Sequence, residues 1–145
     1  MSHHTIQDRA KNLIKGIQHT VLVTTDEHGM PQPRTMFVLE VTNDFTTYFA
    51  TGRTMQKCSQ IAANPKVCLF WTQVQEGQLG PGYVCLKGEA TVTDEQSLRH
   101  RFWKDEFKQY FPFGKDDPDY VIIVVKPKEL LVMDSMKYPL DKVEF

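Results

Sequence analysis

The sequence predicts a mainly β chain of about six or seven short antiparallel strands, curled into a closed or nearly closed barrel with three helices at its periphery. Three observations carry this expectation. Runs rich in β-branched and aromatic residues, such as 19–25, 45–51 and 120–125, recur at hairpin spacing. Clusters of Gly, Asn, Asp and Pro separate them, at 26–29, 42–44 and 116–118. Strands this short favour closure, because a closed sheet has no exposed edges to pair wrongly.

The elements follow in order. An amphipathic helix is expected over Ile6–Ile17, with Thr5 as N-cap, Asp8 three residues on, and Ile6, Ala10, Leu13, Ile14 and Ile17 on one face that covers a side or end of the sheet. The strand 19–25 turns through Asp26–Gly29 into a second strand over 34–41, which makes a hairpin. Thr42–Asp44 turns the chain into a strand over 45–51, and Gly52 and Arg53 lead to a short helix from Thr54 to about Ala63. That helix stops at Asn64, since the residue before Pro65 is pushed out of the helical region. Strands over 66–73 and 83–92 form another hairpin around a loop holding Gly77, Gly80, Pro81 and Gly82. Thr93 with Gln96 reads as a capping box for a helix through Leu98, Phe102 and Trp103. The aromatic segment Phe107, Tyr110, Phe111, Phe113 ends at Gly114, and Tyr120–Val125 is an apolar strand that Pro127 separates from a last one over 130–134.

Composition narrows the function. At 145 residues and 41% hydrophobic, the chain reads as one domain able to bury a single core. A net charge of −1, with cations and acids interspersed, gives no footprint for nucleic acid. Cys58, Cys68 and Cys85 are odd in number and lack C-x-x-C spacing, so neither a disulfide framework nor a zinc site is indicated. His3 and His4, at a terminus, carry no metal-site expectation. The absence of a secretory pattern and of an apolar run near the roughly 20 residues of a membrane span points to a cytoplasmic protein.

One constellation carries chemistry. Arg34 lies on one strand, Thr51 ends another, Thr54 is the expected hydroxyl N-cap of the short helix, and Gln56 and Lys57 fall in its first turn. A helix N-terminus offers unpaired N–H groups and positive potential, which favour an anion and disfavour a lysine. A ligand with negative charge explains why Lys57 sits there. No nucleophile with an adjacent base is evident: Ser59 and Ser97 read as ordinary helix positions, His19, His28 and His100 have no partners that assemble a triad, and Cys58 repeats with Met55 and Ile61 as core. No catalytic side chain is assigned.

The run Asp26–Pro31, Arg34-Thr35-Met36, Tyr48-Phe49-Ala50-Thr51, Lys57 and Ile61–Val67 resembles the pyridoxamine 5′-phosphate oxidase-like, FMN-binding split-barrel superfamily. Gly88-Glu89-Ala90, the segment from Trp103 to Gly114 and Asp117–Tyr120 resemble its general stress protein 26-like branch. The resemblance spans about Val21 to Pro127 and implies a split β-barrel that binds FMN. It implies that Arg34, Gln56 and Lys57 hold the FMN phosphate, with Thr51 near the phosphate and ribityl chain, that the strand from Arg34 to Val38 lies along the cofactor with the backbone of Thr35 and Met36 near the ring, and that Phe37 and Ala50 are also cofactor-binding. Gln56 stands where the oxidases commonly have arginine, and Tyr83 where they have a glutamine reaching from the second subunit. The family forms homodimers with FMN at the interface, so Trp71, Trp103, Tyr110, Phe111 and Phe113 are candidates to line the flavin pocket or the dimer seam, Trp71 and Trp103 foremost. The activity implied is an FMN-dependent oxidoreductase that moves hydride or electrons between a reduced nicotinamide and a small acceptor. Oxidation of pyridoxamine phosphate itself is not expected, because nothing after Pro127 matches the oxidases' Arg-x-His substrate motif. The alternatives are a non-catalytic flavin-binding or redox-sensing stress protein, or the same fold holding haem or the deazaflavin F420.

Overall fold

A computed structural model describes residues 3–74, 76–77, 82–134 and 141–145. The chain runs through α1 (His3–Ile14), β1 (His19–Thr25), β2 (Pro31–Phe37), β3 (Glu40–Val41), β4 (Thr47–Gly52), α2 (Gln56–Ala63), β5 (Lys66–Thr72), β6 (Tyr83–Thr93), α3 (Gln96–Phe102), two 3₁₀ turns at Asp105–Gln109 and Gly114–Asp116, β7 (Tyr120–Met133) and β8 (Asp141–Glu144). The strands form one antiparallel sheet in the order β2-β1-β5-β6-β7-β4-β3, with β8 added to β7, and it curls into the half-barrel of a split-barrel fold. None of the helices among the described residues is long and apolar enough to cross a membrane.

Period-two alternation sends one set of side chains inward. Thr20, Leu22 and Thr24 of β1 face Val67, Leu69 and Trp71 of β5, then Val84 and Leu86 of β6, and all are buried. The helix α1 closes the open side with Ala10, Leu13 and Ile14, and α2 covers the other end with Ile61.

Strand β7 is buried on both faces over its first half. Ile123 and Val125 enter the barrel core, while Tyr120 and Ile122 join Phe111 in a second cluster beneath Phe102, Trp103 and Phe107. Pro127 does not end the strand. Lys87 pairs with Glu129 and Gly88 with Pro127, so Lys128 is an extra residue, a β-bulge, which accommodates a residue without an N–H. The bulge also changes phase: the inward positions are odd-numbered up to Val125 and even-numbered from Leu130 to Val132. Without it, Leu130 and Val132 would face outward.

The other departures from the sequence reading have local causes. The first helix begins at His3, which puts Thr5 inside it rather than at its cap, and it stops at Ile14 because Gly16 takes a left-handed φ of 80°. The strand expected over 34–41 begins at Pro31 and breaks at Val38–Leu39, where it changes partner: the Val38 N–H donates to Gln18 O and the Leu39 N–H to Tyr48 O. Phe45, at φ 66°, belongs to the turn before β4. The residue capping α2 is Met55, not Thr54, and it is about half exposed (51%) rather than core. Glu95 caps α3, and the Thr93 hydroxyl accepts the Glu95 N–H, so the expected capping box is not formed. Strand β8 carries too few residues to show in the sequence. The glycine-rich loop expected between β5 and β6 lies largely outside the described residues, Gly80 and Pro81 among them.

A Cβ on Gly88 would lie 2.3 Å from Lys126 O, a backbone atom that cannot move aside without breaking the bulge. Gly88→Ala is therefore expected to destabilise the protein by about 1–3 kcal/mol or more, read as a lowered denaturant midpoint. An unchanged midpoint would mean that the bulge is not tightly specified.

Candidate functional site

Two cations meet under α2. Arg34 pairs with Leu22 in the β1–β2 register, so its side chain shares the inward face with Leu22. Its guanidinium donates to Thr24 Oγ1 at 2.8 Å, to Leu22 O at 3.2 Å and to Gln60 Oε1 at 3.2 Å. The Thr24 hydroxyl donates in turn to Gln60 Oε1 at 2.5 Å. Lys57 precedes Gln60 by three positions on α2 and therefore lies on the same helix face. Only 9% exposed, it donates to Thr51 Oγ1 at 3.2 Å.

Among the described residues, neither cation has a carboxylate within ion-pair distance. That is costly, because buried charges are ordinarily neutralised. Burial lowers the affinity of both groups for a proton, and the charge of Arg34 lowers that of Lys57 further. No side chain caps the N-terminus of α2, which adds positive potential beside Lys57. Two cations, the Thr51 hydroxyl and a free helix N-terminus form a donor set suited to a phosphomonoester dianion.

The other residues singled out in the sequence are distributed around this centre. Gln56 is exposed in the first turn of α2, next to Lys57. Met36 is buried inward beyond Arg34, whereas Thr35 and Phe37 alternate to the outer face and are exposed. Ala50 faces away from Lys57, opposite in phase to Thr51, and lines a pocket of about 240 Å³ with Phe37, Leu39, Phe107 and Tyr110, and with Glu106 and Gln109 on its polar side. Trp103 packs edge-on against Tyr120 and Phe107, at 5.4 and 5.8 Å between ring centres, behind that pocket. Trp71 is only 1% exposed and lies in the core towards α1, so the structure does not bring it to the cations. Phe111 is buried, while Tyr110 and Phe113 are 70% and 82% exposed. Thr24 and Gln60 were not anticipated from sequence. The three-residue spacing of Lys57 and Gln60 was a usable signal; the placement of Thr24 depends on strand register.

Because the folded state disfavours the charged form of Lys57, it binds fewer protons than the unfolded chain. Stability of the ligand-free protein should then rise as pH approaches the ordinary lysine value of 10.5, where the unfolded chain also loses the proton. Lys57→Met should flatten this rise and leave the melting temperature near neutral pH unchanged or higher. A Met variant that melts lower, with the alkaline rise intact, would show that Lys57 is satisfied where it is.

A profile of the family described as Pyridoxamine 5′-phosphate oxidase like matches residues 6–143. The chain is 27% identical over 131 residues to general stress protein 26 of Bacillus subtilis, covering 89% of this chain and 91% of that protein. It superposes on a protein of Clostridium acetobutylicum related to general stress protein 26 with a TM-score of 0.80 at 17% identity, over 99% of this chain and 96% of that one. A pyridoxamine 5′-phosphate oxidase-related, FMN-binding protein of Nostoc punctiforme gives 0.71 at 14% identity, over 99% and 95%.

Proposed function

Because the chain belongs to the pyridoxamine 5′-phosphate oxidase-like family, we propose that it binds flavin mononucleotide and acts as an oxidoreductase drawing on a reduced nicotinamide. The observation that carries this reading is the pair Arg34 and Lys57, two shielded cations that meet no counter-charge among the described residues. The FMN-binding relative of the same fold supports the identity of the anion. A bound flavin supplies two-electron chemistry that no side chain near the site offers. The protein's part is to bind and orient. Arg34 and Lys57 would neutralise the phosphate, and the Thr51 hydroxyl beside Lys57 would add a hydrogen-bonding partner to it. Haem fits the donor set less well, since no histidine accompanies the cations and His19 stacks edge-on against Phe37 at the outer surface.

Arg34→Ala and Lys57→Ala should each weaken FMN binding by roughly ten- to more than a hundredfold, the equivalent of one charge-assisted hydrogen bond. Riboflavin, which lacks the phosphate, should lose almost nothing. Fluorescence titration of both ligands checks this, and equal losses for the two would mean that the cations serve the fold alone.

We also read the working unit as a homodimer with the flavin at its interface. Phe37, Tyr110 and Phe113 leave apolar area in solvent, the first two at the rim of the pocket, as a surface awaiting a partner does. Light scattering during FMN titration should report a dimer. A monomer that retains FMN stoichiometrically at micromolar concentration would rule this out.

A further inference from the structure

We propose that Cys68 and Cys85 are a redox-active pair that closes a reversible disulfide on the outer face of the sheet when the protein meets a hydroperoxide, with Cys68 reacting first. In the β5–β6 register Cys68 faces Lys87 and Phe70 faces Cys85, so the two cysteines are diagonal neighbours on one face. Each thiol is the main influence on the other's proton affinity. Both are half-buried, whereas Cys58 is buried beneath α2 against Gly52 O. Cys68 opens onto a cavity of about 460 Å³ whose rim carries Lys66, Lys87 and Lys128 against the single carboxylate of Glu89. A small peroxide fits there, beside Lys87, whose charge favours a Cys68 thiolate and is partly offset by its ion pair with Glu129 at 3.1 Å.

Access divides the roles: of the two thiols, Cys68 is the one that lines the cavity. The neighbouring Cys85 thiol, and to a lesser degree Lys87, hold Cys68 below the ordinary thiol value, while Cys68 and burial push the Cys85 thiol up. Cys68 is thus the nucleophile and Cys85 keeps its proton. The Cys68 thiolate attacks the terminal oxygen of the hydroperoxide, the O–O bond breaks, and an alcohol (water, from hydrogen peroxide) leaves with a proton. Cys68 becomes a sulfenic acid. The Cys85 sulfur then attacks the Cys68 sulfur, the S–O bond breaks, and hydroxide takes the Cys85 proton to leave as water. Two thiols have lost two electrons to one peroxide. Diagonal strand neighbours ordinarily lie about 7–8 Å apart, wider than the roughly 4.4–6.8 Å between Cα atoms of a relaxed disulfide. The bridge therefore forms only with a backbone shift that draws β5 and β6 together at this point, which leaves it strained, and strained, accessible disulfides are the ones a small thiol reduces readily.

The test uses the full chain, reduced, desalted and exposed to a few equivalents of hydrogen peroxide. The intact mass should fall by about 2 Da for the two hydrogens lost, with one cross-linked peptide joining Cys68 to Cys85, and dithiothreitol should restore both thiols. Cys58→Ser should behave like the parent. Cys85→Ser should stop at a dimedone-trapped sulfenic acid on Cys68, and Cys68→Ser should leave Cys85 unmodified. Oxidation of the pair should outpace that of Cys58 by at least about tenfold. Cross-links to Cys58 or between chains, equal oxidation in Cys68→Ser, or survival of both thiols would each overturn the proposal. Arg34→Ala and Lys57→Ala should oxidise like the parent, so failure of the flavin reading would leave this result standing.

Discussion

The bulge at Lys128 governs which way the second half of β7 faces, and the barrel core depends on that choice. Before the bulge, β7 buries Ile123 and Val125 in the barrel and Tyr120 and Ile122 under the aromatic segment. After it, Leu130 and Val132 return to the barrel core, and Leu130 pairs with Val143 of β8. Strand β7 is therefore a wall with work on both sides, and β4, which carries Thr51, hangs on its first half. The β4–β7 register, Thr51 opposite Val121 and Ala50 opposite Ile122, sets which side of that wall each residue serves. Gly88 makes the bulge possible by letting the Lys126 carbonyl approach closer than any side chain would allow.

Several other cations are paired with carboxylates. Arg9 bridges Asp134 and Asp141, Arg53 meets Asp94, Arg101 meets Glu40 and Lys87 meets Glu129. Several of these pairs are half exposed, where water would have screened an unpaired charge at little cost. Arg34 and Lys57 reverse the pattern: they are among the more shielded cations and have only hydroxyl, carbonyl and amide partners. Those partners orient the two groups without neutralising them. A site organised for an external anion needs that combination, because an internal carboxylate would compete with the ligand.

Much of this was legible from composition and periodicity. The β1 strand, the stop of α2 before Pro65 and the joint placement of Arg34, Thr51 and Lys57 follow from alternation, proline geometry and spacing, all of them local. What escaped the sequence depends on partners. Val38 and Leu39 look like continuous strand until one bonds towards β1 and the other towards β4. Pro127 looks like a terminator until a bulge absorbs it. Trp71 and Trp103 look equivalent as aromatic candidates, yet strand phase sends the first into the core and chain path sends the second behind an outer pocket. The Thr54 cap failed for a similar reason, since the first turn of α2 is set by how Gly52 and Met55 close the loop and not by the nearest hydroxyl.

The sheet wall is one residue thick, and that thickness ties the anion site to the thiol pair. Leu22 pairs with Arg34 on one side and Leu69 on the other, all pointing inward; the next positions, Val23 and Cys68, also pair and point out. A one-residue slip of β5 would bring Leu69 to solvent and carry Cys68 into the core, so such registers are excluded by the same apolar burial that builds the barrel. Leu22, Leu69 and Leu86 touch no ligand in either reading. By holding the strands in phase they keep the uncompensated cations on the inner face and the thiols beside the Lys87–Glu129 ion pair on the outer one, where the cysteines remain within reach of small reagents.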